Sequence, residues 1–123
     1  MHTLNIKRAY DEPAPTDGQR LLVDRLWPRG TKKEALQLTR WAKELTPTTQ
    51  LRQAYHQGDL PFGAFADAYR AELDQRPEAL ETAREIGKAL KTEPVTLVYA
   101  ARNVEQNHAQ VLQAWLTDQM TKA

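Results

Sequence analysis

The sequence predicts a single α/β domain in which a mainly parallel sheet lies between two layers of helices. Its 123 residues are one domain's length, enough to bury about two thirds of the unfolded chain's surface. Short apolar runs alternate with stretches of helical periodicity, and such runs are typical of parallel strands that helices cover on both faces. We therefore expect residues 1–123 to form one three-layer α/β/α domain with right-handed crossovers.

Three segments have the pattern of strands. Thr3–Arg8 alternates apolar and polar side chains before a loop rich in proline, and Arg20–Asp24 is a short apolar run that a proline and a glycine soon follow. Val95–Tyr99 is the clearest strand because it is rich in β-branched residues and follows a proline. Residues 36–45 fit both helical and alternating spacing, so we expect an irregular or extended stretch there.

Helix starts and apolar spacing predict the helices. Thr48 is a candidate N-cap for a short helix, and Pro61 and Pro77 open two longer amphipathic helices. Asn103 has a glutamine three residues later, which fits a capping box. We therefore expect the last helix to begin at Asn103.

The composition excludes several kinds of site. The chain has no cysteine and no serine, which rules out disulfides, thiolate catalysis, zinc–cysteine centres and Ser-His-Asp chemistry. The phosphate-binding loops G-x-G-x-x-G and G-x-x-x-x-G-K-[ST] are missing and the three histidines are far apart, so we expect neither a cofactor nor a metal. The apolar runs are too short for a membrane helix or a signal peptide, which predicts a cytoplasmic protein without membrane contact.

Positive charge is concentrated in one segment. The net charge of +1 is small for a protein that binds nucleic acid mainly through phosphate contacts. Within residues 20–33, however, five Lys and Arg side chains stand against Asp24 alone, a local net charge of +4. Binding groups concentrate on loops, so a loop with this charge and with Trp27 predicts a binding site.

Cations follow all three predicted strands, and ligands in parallel sheets bind at the carboxyl ends of the strands. We therefore expect one cationic crevice that holds a small phosphate- or nucleotide-like anion. The candidate ligand-binding residues are Arg8, Arg25, Trp27, Arg29, Arg102 and Asn107. The candidate catalytic residues are Asp24, Tyr99 and His108.

Each candidate also has a structural interpretation. Arg25 and Arg29 either bind an anion or are paired with Asp24 or another carboxylate that fixes the loop. Trp27 either stacks on a ligand or packs against the edge of the core. Asp24 is either a general base or one half of a structural salt bridge. His108 falls on the apolar stripe of the last helix. It is either a hydrogen-bonded core residue or an acid, base or hydrogen-bond donor in the crevice.

Three stretches stand out together: Leu22–Gly30, which reads Leu-Val-Asp-Arg-Leu-Trp-Pro-Arg-Gly, Lys7–Tyr10, and Leu97–Arg102, with Asn107–Ala109 after it. They resemble the YeaO-like family, the domain of unknown function numbered 488. The resemblance implies a small bacterial cytoplasmic α/β domain of three layers and no characterised reaction. Broader members carry cysteines, and an acidic residue is expected where this chain has Asn103. Neither a cysteine mechanism nor a carboxylate base at that position is therefore carried over.

Three functions are compatible with the sequence. The chain is an enzyme or binding protein for a small anionic ligand, a nucleic-acid-binding or regulatory module, or an interaction domain whose Arg/Trp motif is purely structural. The small net charge ranks general nucleic-acid binding below a small anionic ligand.

Overall fold

A parallel sheet forms the centre of the molecule, as seen in a computed structural model that describes residues 1–122. The strands are β1 (Leu4–Arg8), β2 (Gln19–Leu22), β3 (Arg40–Trp41) and β4 (Val95–Tyr99), in the order β1-β4-β2-β3. Every neighbouring pair is parallel, with Leu4 beside Val95 and Leu21 beside Leu97. The predicted α/β fold with a parallel sheet is confirmed.

Three of the five helices within residues 1–122 start as predicted, at Thr48, Pro61 and Pro77. They are α1 (Lys33–Leu36), α2 (Thr49–His56), α3 (Phe62–Asp74), α4 (Pro77–Ala89) and α5 (His108–Lys122). Thr48 caps α2 as predicted, because its hydroxyl accepts a hydrogen bond from the backbone N–H of Leu51 at 3.2 Å. Among residues 1–122, no helix is long and apolar enough to cross a membrane.

The two faces of the sheet are covered differently. Side chains alternate along each strand, so Leu21 and Leu97 point to one face while Leu22 and Val98 point to the other. Helices α2 to α5 pack on the first face and enclose the main core. The second face is covered by the single turn of α1, through Leu36, and by loop side chains. The third layer is therefore present but thin.

A charged cluster, consisting of Lys7, Asp17 and Arg20, lies on the second face. The Asp17 carboxylate accepts hydrogen bonds from Lys7 Nζ at 3.1 Å, from Arg20 Nη1 at 2.7 Å and from the Ala14 N–H at 2.9 Å. Burial opposes ionisation of Asp17, but these bonds outweigh it and hold the pKa of Asp17 below its ordinary value. Arg20 also donates to the Leu36 carbonyl at 2.8 Å, so the cluster joins β1, β2 and α1.

The structure adds a strand that the sequence does not predict. β3 has two residues and lies within the segment expected to be irregular or extended. Hydrogen bonds from the Thr39 N–H to the Arg20 carbonyl, at 2.8 Å, and from the Ala42 N–H to the Leu22 carbonyl, at 2.9 Å, hold it beside β2. A strand this short has no periodicity of its own, so only the pairing with β2 defines it.

The expected capping box at Asn103 is wrong. The Asn103 side chain accepts hydrogen bonds from the backbone N–H groups of Glu105, at 2.9 Å, and Gln106, at 3.0 Å, and closes a turn. Helix α5 begins only at His108, and Asn107 caps it by accepting from the Gln110 N–H at 2.9 Å. An asparagine that binds backbone groups ahead of it serves a turn or a helix start equally well, so the local signal is ambiguous.

The chain leaves the neighbouring strands β2 and β4 toward opposite faces. After β2 it passes to α1 on the second face, whereas after β4 it passes to α5 on the first. The two connections diverge and leave a gap at the carboxyl ends of these strands. Such a switch point is where ligands bind in open parallel sheets.

Candidate functional site

A cavity of about 710 Å³ opens at this switch point, a size typical of small-molecule sites. We call it the switch-point cavity. Its walls come from the loop after β2, from α2 and the start of α3, and from the segment between β4 and α5. Of the candidate residues from the sequence, it brings together Asp24, Arg25, Arg102, Asn107 and His108.

Asp24 and His108 are joined by a hydrogen bond at the cavity. Asp24 lies where the chain leaves the sheet after β2, and its Oδ1 is 2.7 Å from His108 Nε2 at the first turn of α5. Its Oδ2 accepts a hydrogen bond from the Ala100 N–H at 3.0 Å, directly after β4. Asp24 therefore ties β2, β4 and α5 together, and its partner is His108 rather than the neighbouring arginines. Among residues 1–122, no three His, Asp or Glu side chains come together as a metal site.

Three arginines line the cavity without a carboxylate partner. Arg25 donates from Nε to the Pro47 carbonyl at 2.8 Å, which fixes its position, and Arg102 is exposed. The Nε of Arg52 is buried with no hydrogen-bond partner. Within residues 1–122, the salt bridges involve other groups and leave all three arginines unpaired.

A second part of the lining, the aromatic wall, consists of Tyr55, Phe62 and Phe65 on α2 and α3. The rings of Tyr55 and Phe65 are stacked with centroids 4.7 Å apart, and Phe62 lies 5.9 Å from Tyr55. Leu60 and Leu26 extend this wall, and Leu26 is 61% exposed although it is a large apolar residue. An apolar surface left open beside a cavity is a feature of ligand-binding clefts.

Asn107 and Tyr99 are buried and contact neighbouring parts of the fold. Asn107 is buried, and besides capping α5 it donates from Nδ2 to the Asn103 carbonyl at 2.8 Å. Tyr99 is buried beneath the cavity, and its ring packs edge-on against that of His108. Burial raises the pKa of the Tyr99 phenol above its ordinary value despite the positive charge of Arg8. The Tyr99 phenol therefore stays protonated and uncharged while its ring packs against His108.

Arg8, Trp27 and Arg29 lie outside the cavity lining. Arg8 donates from Nε to the Ala101 carbonyl at 3.1 Å and so contributes to the end of β4 rather than to the site. Trp27 packs edge-on against Trp41, with centroids 5.4 Å apart, in the apolar cluster of the second face. Arg29 is exposed. The carboxyl ends of only two of the three predicted strands, β2 and β4, therefore meet at the cavity, and α2 forms a further part of its lining.

A family model described as "Inactive DUF488-N3 subclade" matches residues 3–123. The uncharacterised protein YeaO of Escherichia coli (strain K12) is 45% identical over 113 residues, which cover 92% of this chain and 96% of that protein. The chain belongs to the YeaO-like DUF488 family. A further relative, the uncharacterised protein Rv3073c of Mycobacterium tuberculosis (strain ATCC 25618 / H37Rv), is 38% identical over 109 residues, or 89% of each chain. No solved structure shows a significant match.

In this YeaO-like domain the motif Leu22–Gly30 divides in two. Asp24 to Leu26 line the switch-point cavity, whereas Trp27 turns to the second face and donates from Nε1 to the Thr31 carbonyl at 2.7 Å. Of this motif, only Asp24, Arg25 and Leu26 therefore line the cavity, while Leu22, Val23 and Trp27 pack in the apolar clusters.

Sequence reasoning did not assign Arg52, Tyr55 and Phe62 to the site. These residues lie on α2 and at the start of α3, and the unpredicted strand β3 is what brings α2 to this edge of the sheet. One signal was available. Arg52 stands in the first turn of α2, where the helix dipole disfavours a cation, so its position indicates a role other than helix stability.

Proposed function

We propose that the protein binds a small anionic ligand in the switch-point cavity and does not turn it over. The observation that carries the proposal is the set of three arginines, Arg25, Arg52 and Arg102, that line one cavity without a carboxylate partner among residues 1–122. A guanidinium group presents its donors as a fork that matches carboxylate and phosphate oxygens. This arrangement favours a ligand whose negative charge is spread over several oxygens.

Asp24 contributes the opposing negative charge at the cavity. Both of its oxygens are engaged by nitrogen groups, those of His108 and Ala100, so its charge is partly compensated within the protein. The three arginines outnumber this single carboxylate, and the N-terminal end of α5 adds a positive dipole on the same side. The electrostatic balance of the lining is therefore positive.

Binding without turnover is consistent with the residues that are present. The chain has no serine or cysteine nucleophile, and the Asp24–His108 pair is engaged in joining two strands to α5. The description of the matching subclade as inactive also favours a binding role.

Nucleic-acid binding has less support. That alternative relies on the positive charge of residues 20–33, but Arg20 is buried and paired with Asp17. Arg25 lies at the cavity, away from the exposed side chains of Arg29 and Lys32. The cations of this segment are thus divided among three environments and do not form one continuous surface for phosphates.

The proposal is tested by isothermal titration calorimetry with ribose 5-phosphate and inorganic phosphate. Arg102→Gln removes a cation from the cavity, and Arg29→Gln is the matched control because Arg29 is also exposed but lies outside the lining. Loss of a charge-assisted hydrogen bond weakens binding by about tenfold or more, so we expect this loss for Arg102→Gln only. Affinity of the unmodified protein should also fall as ionic strength rises.

Equal affinities of the two variants for either anion would contradict the proposal. So would an absence of heat change with both anions in the unmodified protein, or release of inorganic phosphate from ribose 5-phosphate during the titration.

A further inference from the structure

We infer that the ligand is a free nucleoside monophosphate, held with its phosphate among the arginines and its base against the aromatic wall. This inference rests on the proposed anion binding and specifies the class of anion. The deciding feature is that one cavity has two chemically different walls. Arg25 and Arg102 come from the segments after β2 and β4 and form the cationic wall, whereas Tyr55 and Phe62 come from α2 and α3.

The aromatic wall contributes little to the binding of a phosphate or a sugar phosphate, because neither carries a planar ring. Tyr55 is only partly buried and lines the cavity while Phe65 supports its ring by stacking from within the core. Phe62 is also partly buried and lines the same wall. Every nucleobase offers a flat π surface that stacks on such rings, and the contact contributes strongly to binding whatever the base. The wall therefore adds affinity only for an anion that carries a planar ring.

The cationic wall, in turn, contributes little to the binding of an uncharged nucleoside, because its arginines need an anionic partner. Arg25 is held in place through Nε by the Pro47 carbonyl, so its terminal nitrogens are already oriented before a ligand arrives. Fixing a side chain in advance reduces the entropy lost on binding, and the guanidinium donors match the oxygens of a phosphate monoester. A ligand that engages both walls must carry a phosphate and a ring in one small molecule.

Two side-chain amide groups of the cavity lining can form hydrogen bonds with the base and the ribose of a nucleotide. The Asn103 side-chain oxygen is occupied by two backbone N–H groups, which leaves its amide nitrogen as a donor, and the exposed Gln106 offers a donor and an acceptor. Base edges and ribose hydroxyls present complementary groups. The cavity of about 710 Å³ is of the size that encloses one drug-sized molecule, and a mononucleotide is such a molecule.

The test compares AMP and UMP with their parts by calorimetry. The parts are adenosine, which lacks the phosphate, and ribose 5-phosphate, which lacks the base. We expect each nucleotide to bind at least about tenfold more tightly than either part, because base stacking and the charged contacts both contribute. A 5′-phosphorylated oligonucleotide distinguishes a free nucleotide from the end of a nucleic acid and should bind more weakly than AMP.

Two variants separate the walls. Tyr55→Leu should weaken AMP binding by about tenfold and leave ribose 5-phosphate unchanged, whereas Arg102→Gln should weaken both. Phe62→Leu gives a second measurement of the aromatic wall in case Tyr55→Leu does not fold. Tyr10→Leu is the matched control, since Tyr10 is an exposed tyrosine outside the lining.

The outcomes distinguish the two proposals. If ribose 5-phosphate binds as tightly as AMP and Tyr55→Leu changes neither, the inference is overturned while anion binding stands. If adenosine binds as tightly as AMP and Arg102→Gln has no effect, or if no compound binds, both proposals fail. Tighter binding of the oligonucleotide than of AMP overturns the free nucleotide as the ligand.

Discussion

Two sets of cations lie near the two ends of β2, and their charges have different surroundings. At its start, the charged cluster pairs Arg20 and Lys7 with Asp17. Beyond its end, Arg25 donates only to a backbone carbonyl, and Arg102, which lines the same cavity, is exposed without a carboxylate partner among residues 1–122. The same residue type thus stabilises the fold in one region and is left uncompensated in the other.

A structural arginine and an arginine proposed to bind a ligand differ in their surroundings in the fold. Local sequence does not separate them, since Arg20 and Arg25 are both close to an aspartate in the chain. Burial together with a carboxylate partner identifies the first kind. A position in a concave surface without such a partner identifies the second.

The largest effect is expected when the charged cluster loses its carboxylate. Asp17→Ala leaves the buried Arg20 guanidinium without its counter-charge, and removing one partner of a buried pair costs about 3–5 kcal/mol. The free energy of unfolding, measured by urea denaturation, should fall by that amount.

A double variant tests whether the uncompensated charge of Arg20 causes this loss of stability. Asp17→Ala with Arg20→Met removes both charges, so it should be less destabilised than Asp17→Ala alone. If the double variant is the less stable of the two, uncompensated charge is not the cause of the loss.

A smaller effect is expected at the link between the strand ends. Asp24→Ala removes the acceptor of the Ala100 N–H and the partner of His108, and an unpaired polar group costs about 1–3 kcal/mol. The free energy of unfolding should therefore fall by about 2 kcal/mol. A loss as large as that of Asp17→Ala would show that the cavity region also holds the fold, which would weaken the contrast between the two regions.

The contribution of the charged cluster should depend on pH. The pKa of Asp17 is lowered in the folded state, so its stabilising effect is present above the unfolded-state pKa of about 4 and is lost as pH falls through the folded-state pKa. The difference in unfolding free energy between the unmodified protein and Asp17→Asn should be full at pH 7 and shrink below about pH 4. A difference that stays constant over this range would contradict the assignment to the ionised carboxylate.

The smallest effect on stability is expected for Arg102→Gln. Arg102 is exposed and has no salt bridge within residues 1–122, so the free energy of unfolding should change by less than about 0.5 kcal/mol. Urea denaturation of this variant beside Asp17→Ala compares the two regions directly. A large loss in Arg102→Gln would assign this arginine to the fold.

Much of the fold follows from local signals. β4 is predicted with its observed bounds because a β-branched run after a proline has few alternatives, and Thr48 and Pro77 mark their helices. β3 depends on a partner distant in the chain, whereas the local signal for the start of α5 is ambiguous. The pairing of β3 with β2 defines it, and Asn103 and Asn107 offer the same capping chemistry four residues apart.

The candidate site is predictable only in part, for a related reason. Asp24, Arg25 and Arg102 follow strands whose ends must meet in a parallel sheet, so the sequence places them together. The aromatic wall comes from α2 and α3, and Tyr55 reaches the site only because α2 follows the unpredicted strand β3. A prediction from strand ends alone therefore recovers Arg25 and Arg102 and misses Arg52 and the aromatic wall.

β4 is the last strand in the chain but lies between β1 and β2 in the sheet. While the chain is being synthesised, β1 has no neighbour, and β2 has only the two residues of β3, until Val95 to Tyr99 have emerged. Contacts between residues so distant in sequence form slowly because the intervening chain loses entropy when they meet. The nascent protein therefore exposes unpaired strand edges until β4 has emerged, and only then can β1 and β2 join one sheet.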